Sequence, residues 1–333
     1  MGCVRNRRQG SVMKIVIPGG SGIIGTILAR AFSERGDEVV VLSRRPRAGA
    51  WRSVYWDGTS LGDWTKEVDG AAVVINLAGR SVNCRYYEKN RREMIESRVR
   101  STRLVGQAVA RSQRPPRVWL QMSTATIYAH RYDAPNDERT GILGGTEPDA
   151  PATWKFSIDV ARAWERTFWE AITPSTRKVA LRSAMVMSTA AGGVFDIKRR
   201  FVHLGLGGAA GDGQQFVSWI HEHDFIRAIE WLIARDDLDG VVNVASPNPL
   251  PYTEFMRAIR DAERVPFGIA PTNWMLEIGA FFMRTETELV LKSRRVVPGS
   301  LLQSGFVFDF ATWPEAAREL SERTAMSRAP AAA

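Results

Sequence analysis

Cysteine is nearly missing: Cys3 and Cys84 are the only two in 333 residues. Two thiols, one of them in the first few residues, exclude a disulfide framework and a cysteine-based zinc site. No apolar run of the length that spans a bilayer occurs, and the best stretch, Ile278 to Met283, is far too short. The opening MGCVRNRRQGS lacks the apolar core of a signal peptide, and Asn6 stands where a myristoylation pattern wants Ser or Thr. The expectation is a cytoplasmic protein whose residues 1–12 form a disordered basic extension. Lysine is also scarce, seven of 45 basic residues. The net charge of +9 suggests an anionic partner, yet the longest basic block is only Lys198 to Arg200, without stacking aromatics. Neither nucleic acid nor membrane is expected as a partner.

What is present is a globular composition, 44% hydrophobic and 24% charged, which excludes a disordered or fibrous chain. Apolar runs and helical stretches alternate from the start. Strands are expected at Lys14–Pro18, Glu38–Leu42, Arg52–Trp56, Ala71–Leu77, Arg117–Met122 and Arg177–Met187. Helices are expected at Gly25–Arg35, at Tyr86–Ser112 with room for one break, and at Ser157–Ile172. Strands separated by helices of this length make a parallel, doubly wound α/β sheet of Rossmann type. That assigns 13–187 to a dinucleotide-binding domain, with a strand at 241–245 returning to it. Residues 188–240 and 246–322 form a smaller α/β cap, with a helix after Trp219–Asp224 and a last strand near Phe306–Phe310. The tail 323–333 looks disordered.

Residues 15–25 read IVIPGGSGIIG, a buried strand running into Gly19, Gly22 and Gly25 and then a helix. Gly19 permits the tight turn, Gly22 lets a pyrophosphate approach, and Gly25 lets helix and strand pack closely. The free N–H groups at the start of that helix then hold the phosphates, with Ile23 and Ile24 of the turn also expected at the cofactor. The second strand ends Ser43-Arg44-Arg45, with no acid for a ribose 2′-hydroxyl. A hydroxyl and two guanidiniums suit a 2′-phosphate, so NADP is expected over NAD.

These residues carry a resemblance. The GGSGIIG loop, NLAG at Asn76–Gly79 and STATIY at Ser123–Tyr128 resemble an extended short-chain dehydrogenase/reductase. VLSRRP, ESRVRST at Glu96–Thr102, FVSWIHEHD at Phe216–Asp224 and RRVVPGSLLQSGFVF at Arg294–Phe308 go further. Together they resemble its atypical subgroup, the epimerase family proteins, with their C-terminal segment of unassigned function (about 273–322). The resemblance implies cofactor contacts from Leu77, Ala78 and Gly79 at the ribose, from Val186 at the nicotinamide, and from Arg98 partnered by Glu93.

Catalysis is where the pattern departs. The Tyr-x-x-x-Lys pair that such enzymes use, with a Ser or Thr, is missing: Phe156 and Val160 stand in its place. Ser123, Thr124 and Tyr128 are the catalytic candidates that remain. Lys155 beside the lost Tyr, and His221 with Asp224 in WIHEHD, are weighed as substitutes. Substrate is expected between the sheet edge and the cap, near Arg199, Trp219 and His221, with Arg199 and Arg200 open to an anion. Three readings stay open: an NADP(H)-dependent oxidoreductase or epimerase-like enzyme on a small carbonyl or hydroxyl compound, an NADPH-binding sensor with little catalysis, and a nucleotide-sugar epimerase. A homodimer through the two long helices follows by analogy only.

Overall fold

The computed structural model describes residues 12–147, 151–270 and 288–328. Seven strands, β1 Lys14–Pro18, β2 Glu38–Ser43, β3 Arg52–Tyr55, β4 Val73–Asn76, β5 Val118–Thr124, β6 Arg177–Ser183 and β10 Gly240–Val244, form one parallel sheet. Their order is β10-β6-β5-β4-β1-β2-β3. The apolar runs are continuous because both faces are covered. On β1, Ile15 and Ile17 face one layer while Val16 faces the other. Helices α1 Ile23–Arg35 and α6 Glu222–Ala234 cover the first face through Leu28, Phe32, Phe225 and Ile229. The helix α3 Glu88–Arg111, unbroken, and α4 Ala152–Glu170 cover the second through Val105, Val109 and Phe168. A short helix, α2 Thr65–Val68, closes that side. The expected fold class is the observed one.

Four expected elements differ. The sixth strand does not run to Met187: it ends at Ser183, and Met185–Met187 leave the sheet as β7, pairing with β9 Trp219–His221. Helix α4 starts five residues early, at Ala152, behind Pro151, whose fixed φ suits a helix start. No strand forms at Phe306–Phe310, because the N–H groups of Asp309 and Phe310 donate to the buried Asp224 carboxylate at 2.9 and 2.8 Å instead of to a ladder. The tail is helical as far as Arg328. Its helix, α10 Trp313–Arg328, buries Trp313, Ala316, Ala317 and Leu320 and carries on past Arg323 despite the low-complexity letters there. Most of the expected N-terminal extension, the last tail residues and 271–287 lie outside the described residues.

The cap is α5 Val194–His203, β8 Phe216–Val217, β11 Leu250–Pro251, α7 Tyr252–Ala262 and α10. Its core stacks Phe255 on Trp313, ring centroids 4.3 Å apart and nearly parallel, with Trp313 Nε1 donating to the Phe255 carbonyl. Between cap and sheet run two short helices of the C-terminal segment, α8 Glu288–Leu291 and α9 Gly299–Gln303. Among the described residues, no helix is long and apolar enough to cross a membrane.

Candidate cofactor and substrate site

The parallel strands end at one edge, and the glycine turn, the β2 tip, the β4 tip and Thr124 all lie there. Gly19 has φ +75°, and a Cβ on it would stand 2.5 Å from the Ala78 Cα. A Cβ on Gly25 would stand 2.3 Å from the Gly20 backbone, so α1 can approach the turn only without a side chain there. Gly22 faces open space: nothing lies within 4 Å of an added Cβ. It is the N-cap of α1, no side chain caps that helix, and its first turn has no acid. The first N–H groups therefore point outward unsatisfied, a ready anion site. Ile23 is exposed beside them, and Ile24 packs on the core. Gly25→Ala is expected to lose about 2 kcal/mol or more through overpacking. Thermal melts check it, and an unchanged melting temperature would show that the turn yields.

At the β2 tip Ser43 is buried, its Oγ accepting from the Arg45 N–H at 3.1 Å. Arg44 and Arg45 are exposed. At the β4 tip the fully buried Asn76 donates to Gln121 Oε1 and accepts the Ala78 N–H. This shapes Leu77, Ala78 and Gly79 into an outward turn. Arg98 of α3 packs against Gly79, lies over the Trp164 ring and donates to the Met94 carbonyl at 3.0 Å. Among the described residues it forms no ion pair, and burial pulls its guanidinium down to about 10. The expected Glu93 partnership does not form: Glu93 pairs with Arg80, which also reaches Asn90.

At β5 the hydroxyl candidates divide. Ser123 points beneath the edge and donates to Glu165 Oε1 at 2.5 Å. Glu165 in turn receives a two-pronged contact from Arg182, at 2.9 and 2.8 Å. Tyr128 is buried in the same network, donating to Asn243 Oδ1 at 2.9 Å and accepting from Arg182 at 3.0 Å. Burial pushes its phenol up. Both hydroxyls are buried and engaged in this network. Thr124 is half-buried, its Oγ1 accepting the Thr126 N–H of a short 3₁₀ turn, Ala125–Ile127.

Around the lost pair the side chains pack on apolar neighbours, with the Arg91 guanidinium over the Phe156 ring. Phe156 meets Tyr86 edge-on, and Val160 packs with Met94. Lys155 is exposed and pairs with Asp159 at 3.2 Å, away from the edge. The three expected substrate residues are not brought to a common surface. Arg199 is buried against Glu263 at 3.2 Å and Asp196. Arg200 is an exposed partner of Asp196. Trp219 is fully buried against Trp313. His221 is buried, stacked on Phe310, its Nε2 facing Glu319 at 2.9 Å and its Nδ1 accepting the His223 N–H. Burial lowers its basicity. All of these hold the cap together. Val186, on β7, packs half-buried against the core beside the edge.

The groups that sequence reading missed come from the C-terminal segment. Lys292 is buried and donates to the Thr126 carbonyl at 2.8 Å. Arg294 reaches Thr126 Oγ1 at 3.2 Å and Glu288 at 3.8 Å. Ser157 donates to Glu288 and meets the Tyr86 hydroxyl. A signal was available: Glu288 and Lys292 share the four-residue spacing of one helix face. Among the described residues no cluster of His, Cys, Asp and Glu could hold a metal.

Comparison with known proteins agrees with this geometry. The model of the NAD dependent epimerase/dehydratase family matches residues 15–153, and that of a domain of unknown function, DUF1731, matches 272–320. The human epimerase family protein SDR39U1 is 28% identical over 315 residues, covering 92% of this chain and 99% of that one. YfhF of Bacillus subtilis, also an epimerase family protein, is 27% identical, covering 90% and 95%. The crystal structure of human SDR39U1 (isoform 2) with NADPH superposes with a TM-score of 0.81 at 27% identity, over 93% of this chain and 99% of that one. Sheet, glycine turn and C-terminal segment stand in the same order, so this chain is similar along nearly its whole length to the epimerase family proteins, and its first part matches the NAD dependent epimerase/dehydratase family.

Proposed function

We propose that this protein is an NADP(H)-dependent oxidoreductase or epimerase-like enzyme acting on a small carbonyl or hydroxyl compound. The observation that carries the reading is the uncapped N-terminus of α1 behind a turn that only glycine fits. Arg98 supports it, as a buried cation at the β4 tip whose missing counter-charge a phosphate would supply. The cradle fits a dinucleotide: α1 N–H groups for the pyrophosphate, Ser43, Arg44 and Arg45 for the 2′-phosphate, Leu77–Gly79 for a ribose, and the Val186 backbone for the carboxamide. NADPH in the human relative's crystal structure is in keeping with this. The nicotinamide supplies hydride chemistry when bound. Thr124 orients the substrate oxygen at the end of β5, and the cap excludes water.

Arg44→Ala is expected to weaken NADPH binding about tenfold or more, the worth of a charge-assisted contact, and to leave NADH binding unchanged. Fluorescence titration with both nucleotides checks this; equal binding of the two by the native protein would sink the 2′-phosphate assignment. A second reading, an NADPH-binding sensor with little catalysis, draws on the apolar neighbours on which Phe156 and Val160 pack. Slow NADPH consumption with any member of a carbonyl panel would speak against it.

A further inference from the structure

We propose that the groove between α7 and α10 is a contact surface for a second copy of this chain, with the two α7 helices antiparallel about a two-fold axis. The groove is open, lies on the cap and has a volume of about 340 Å³. Glu254, Arg257, Asp261 and Arg264 line it from the α7 side, and all four are exposed. Their spacing of three, four and three residues sets them in one stripe along the helix and the turn that ends it. None of the four forms an ion pair among the described residues. The α10 wall adds one charge of each sign, Arg318 and Glu322, so the groove is neutral in a chain of net charge +9. A nucleic acid or an acidic membrane finds no excess of cations there.

The order of the charges selects the partner. Along α7 it runs minus, plus, minus, plus, and it is centred on Ile259: 254 and 264 lie five residues to either side, 257 and 261 two. A copy related by a two-fold axis at that level sets Glu254 against the partner's Arg264 and Arg257 against the partner's Asp261. The same two pairs recur across the axis, the self-complementarity that an isologous contact requires. Ala258 and Ala262 line the groove among these charges, small enough for a second helix to come close. Arg264 supplies an independent observation. Its φ is +58°, and among the described residues it is the one non-glycine with a positive φ. It follows the end of α7, its N–H donating to the Asp261 carbonyl while the Val265 N–H donates to that of Arg260. Glycine is the ordinary occupant of such a helix end. An arginine there carries a cost in backbone strain, which points to a use for the side chain it places on the groove.

Sedimentation velocity of the full-length protein over a concentration series tests this. The native chain should pass from monomer to dimer as concentration rises, less readily at high salt. Arg257→Glu and Asp261→Arg should each weaken self-association about tenfold or more, because each sets two like-charged pairs across the axis. Mixed in equal amounts, the two variants should associate as the native chain does, since the new glutamate of one faces the new arginine of the other. The double variant should do so alone. Arg264→Gly should raise the melting temperature of the monomer by about 2 °C while weakening association, two effects that a solvated surface arginine would not couple. A native chain still monomeric at about 1 mM would overturn the proposal. So would a dimer that survives Arg257→Glu, as one formed through α3 and α4 would, or a mixture of the two variants that stays monomeric.

Discussion

Glu165→Ala should cost the protein about 3–5 kcal/mol, the expected penalty for removing one member of a buried ion pair. Arg182 would stay under the sheet edge with the Tyr128 hydroxyl, Ser123 would lose its acceptor, and a guanidinium would remain in a dry place. The loss should spread, because this cluster ties several elements together. Asn243 of β10 accepts from Tyr128, donates its side-chain amide to the Val297 carbonyl, and donates its backbone N–H to Glu138 Oε1. Urea unfolding followed by circular dichroism measures the effect. Replacing both partners, Glu165→Leu with Arg182→Met, should recover most of the stability, since well-packed apolar pairs often match buried ionic ones. A single variant losing under about 1 kcal/mol would show that water reaches the cluster.

Lys292→Met should do the opposite at neutral pH and stabilise. Burial, and next the neighbouring Arg294 charge, bring the Lys292 ammonium from its ordinary 10.5 down to about 8; Glu288 and Glu147 oppose this. A folded-state value below the unfolded one means that folding disfavours the charged form. The penalty is complete below pH 8, shrinks as pH rises from there to 10.5, and is gone above. At pH 7 it amounts to about 3 kcal/mol, and the orphaned Thr126 carbonyl takes back about 1. A net gain of about 2 kcal/mol at pH 7 that fades toward pH 10 is the expected signature. A loss at pH 7 would show that the ammonium is better solvated than its burial implies. A residue that lowers stability where it sits is a mark of use rather than of architecture.

What the sequence revealed and what it hid follow from the range of the forces. The glycine turn was legible because steric demands at Gly19 and Gly25 act over a few residues, as does the tip Ser43-Arg44-Arg45. The parallel sheet was legible because burial on both faces leaves unbroken apolar runs. Ser123 and Tyr128 misled because a strand's letters do not say which hydroxyl meets a carboxylate 42 residues away, as Ser123 meets Glu165. Trp219, His221 and Arg199 misled in the same way, since their partners Trp313, Glu319 and Glu263 come from elements read separately. For Lys292 the sequence offered only its four-residue spacing from Glu288, because its desolvation exists only once the segment lies against the Thr126 turn.

The place of α10 in the cap has a consequence for the newborn chain. The sheet has all its strands once Val244 has left the ribosome, so it can form while synthesis continues. The cap cannot, because Trp313 and Leu320, which are made later, belong to its core. For that interval Phe195, Trp219 and Phe255 are exposed to whatever surrounds the nascent chain, the kind of surface on which chaperones act. The finished sheet thus waits for its cover until the residues of α10 have been made.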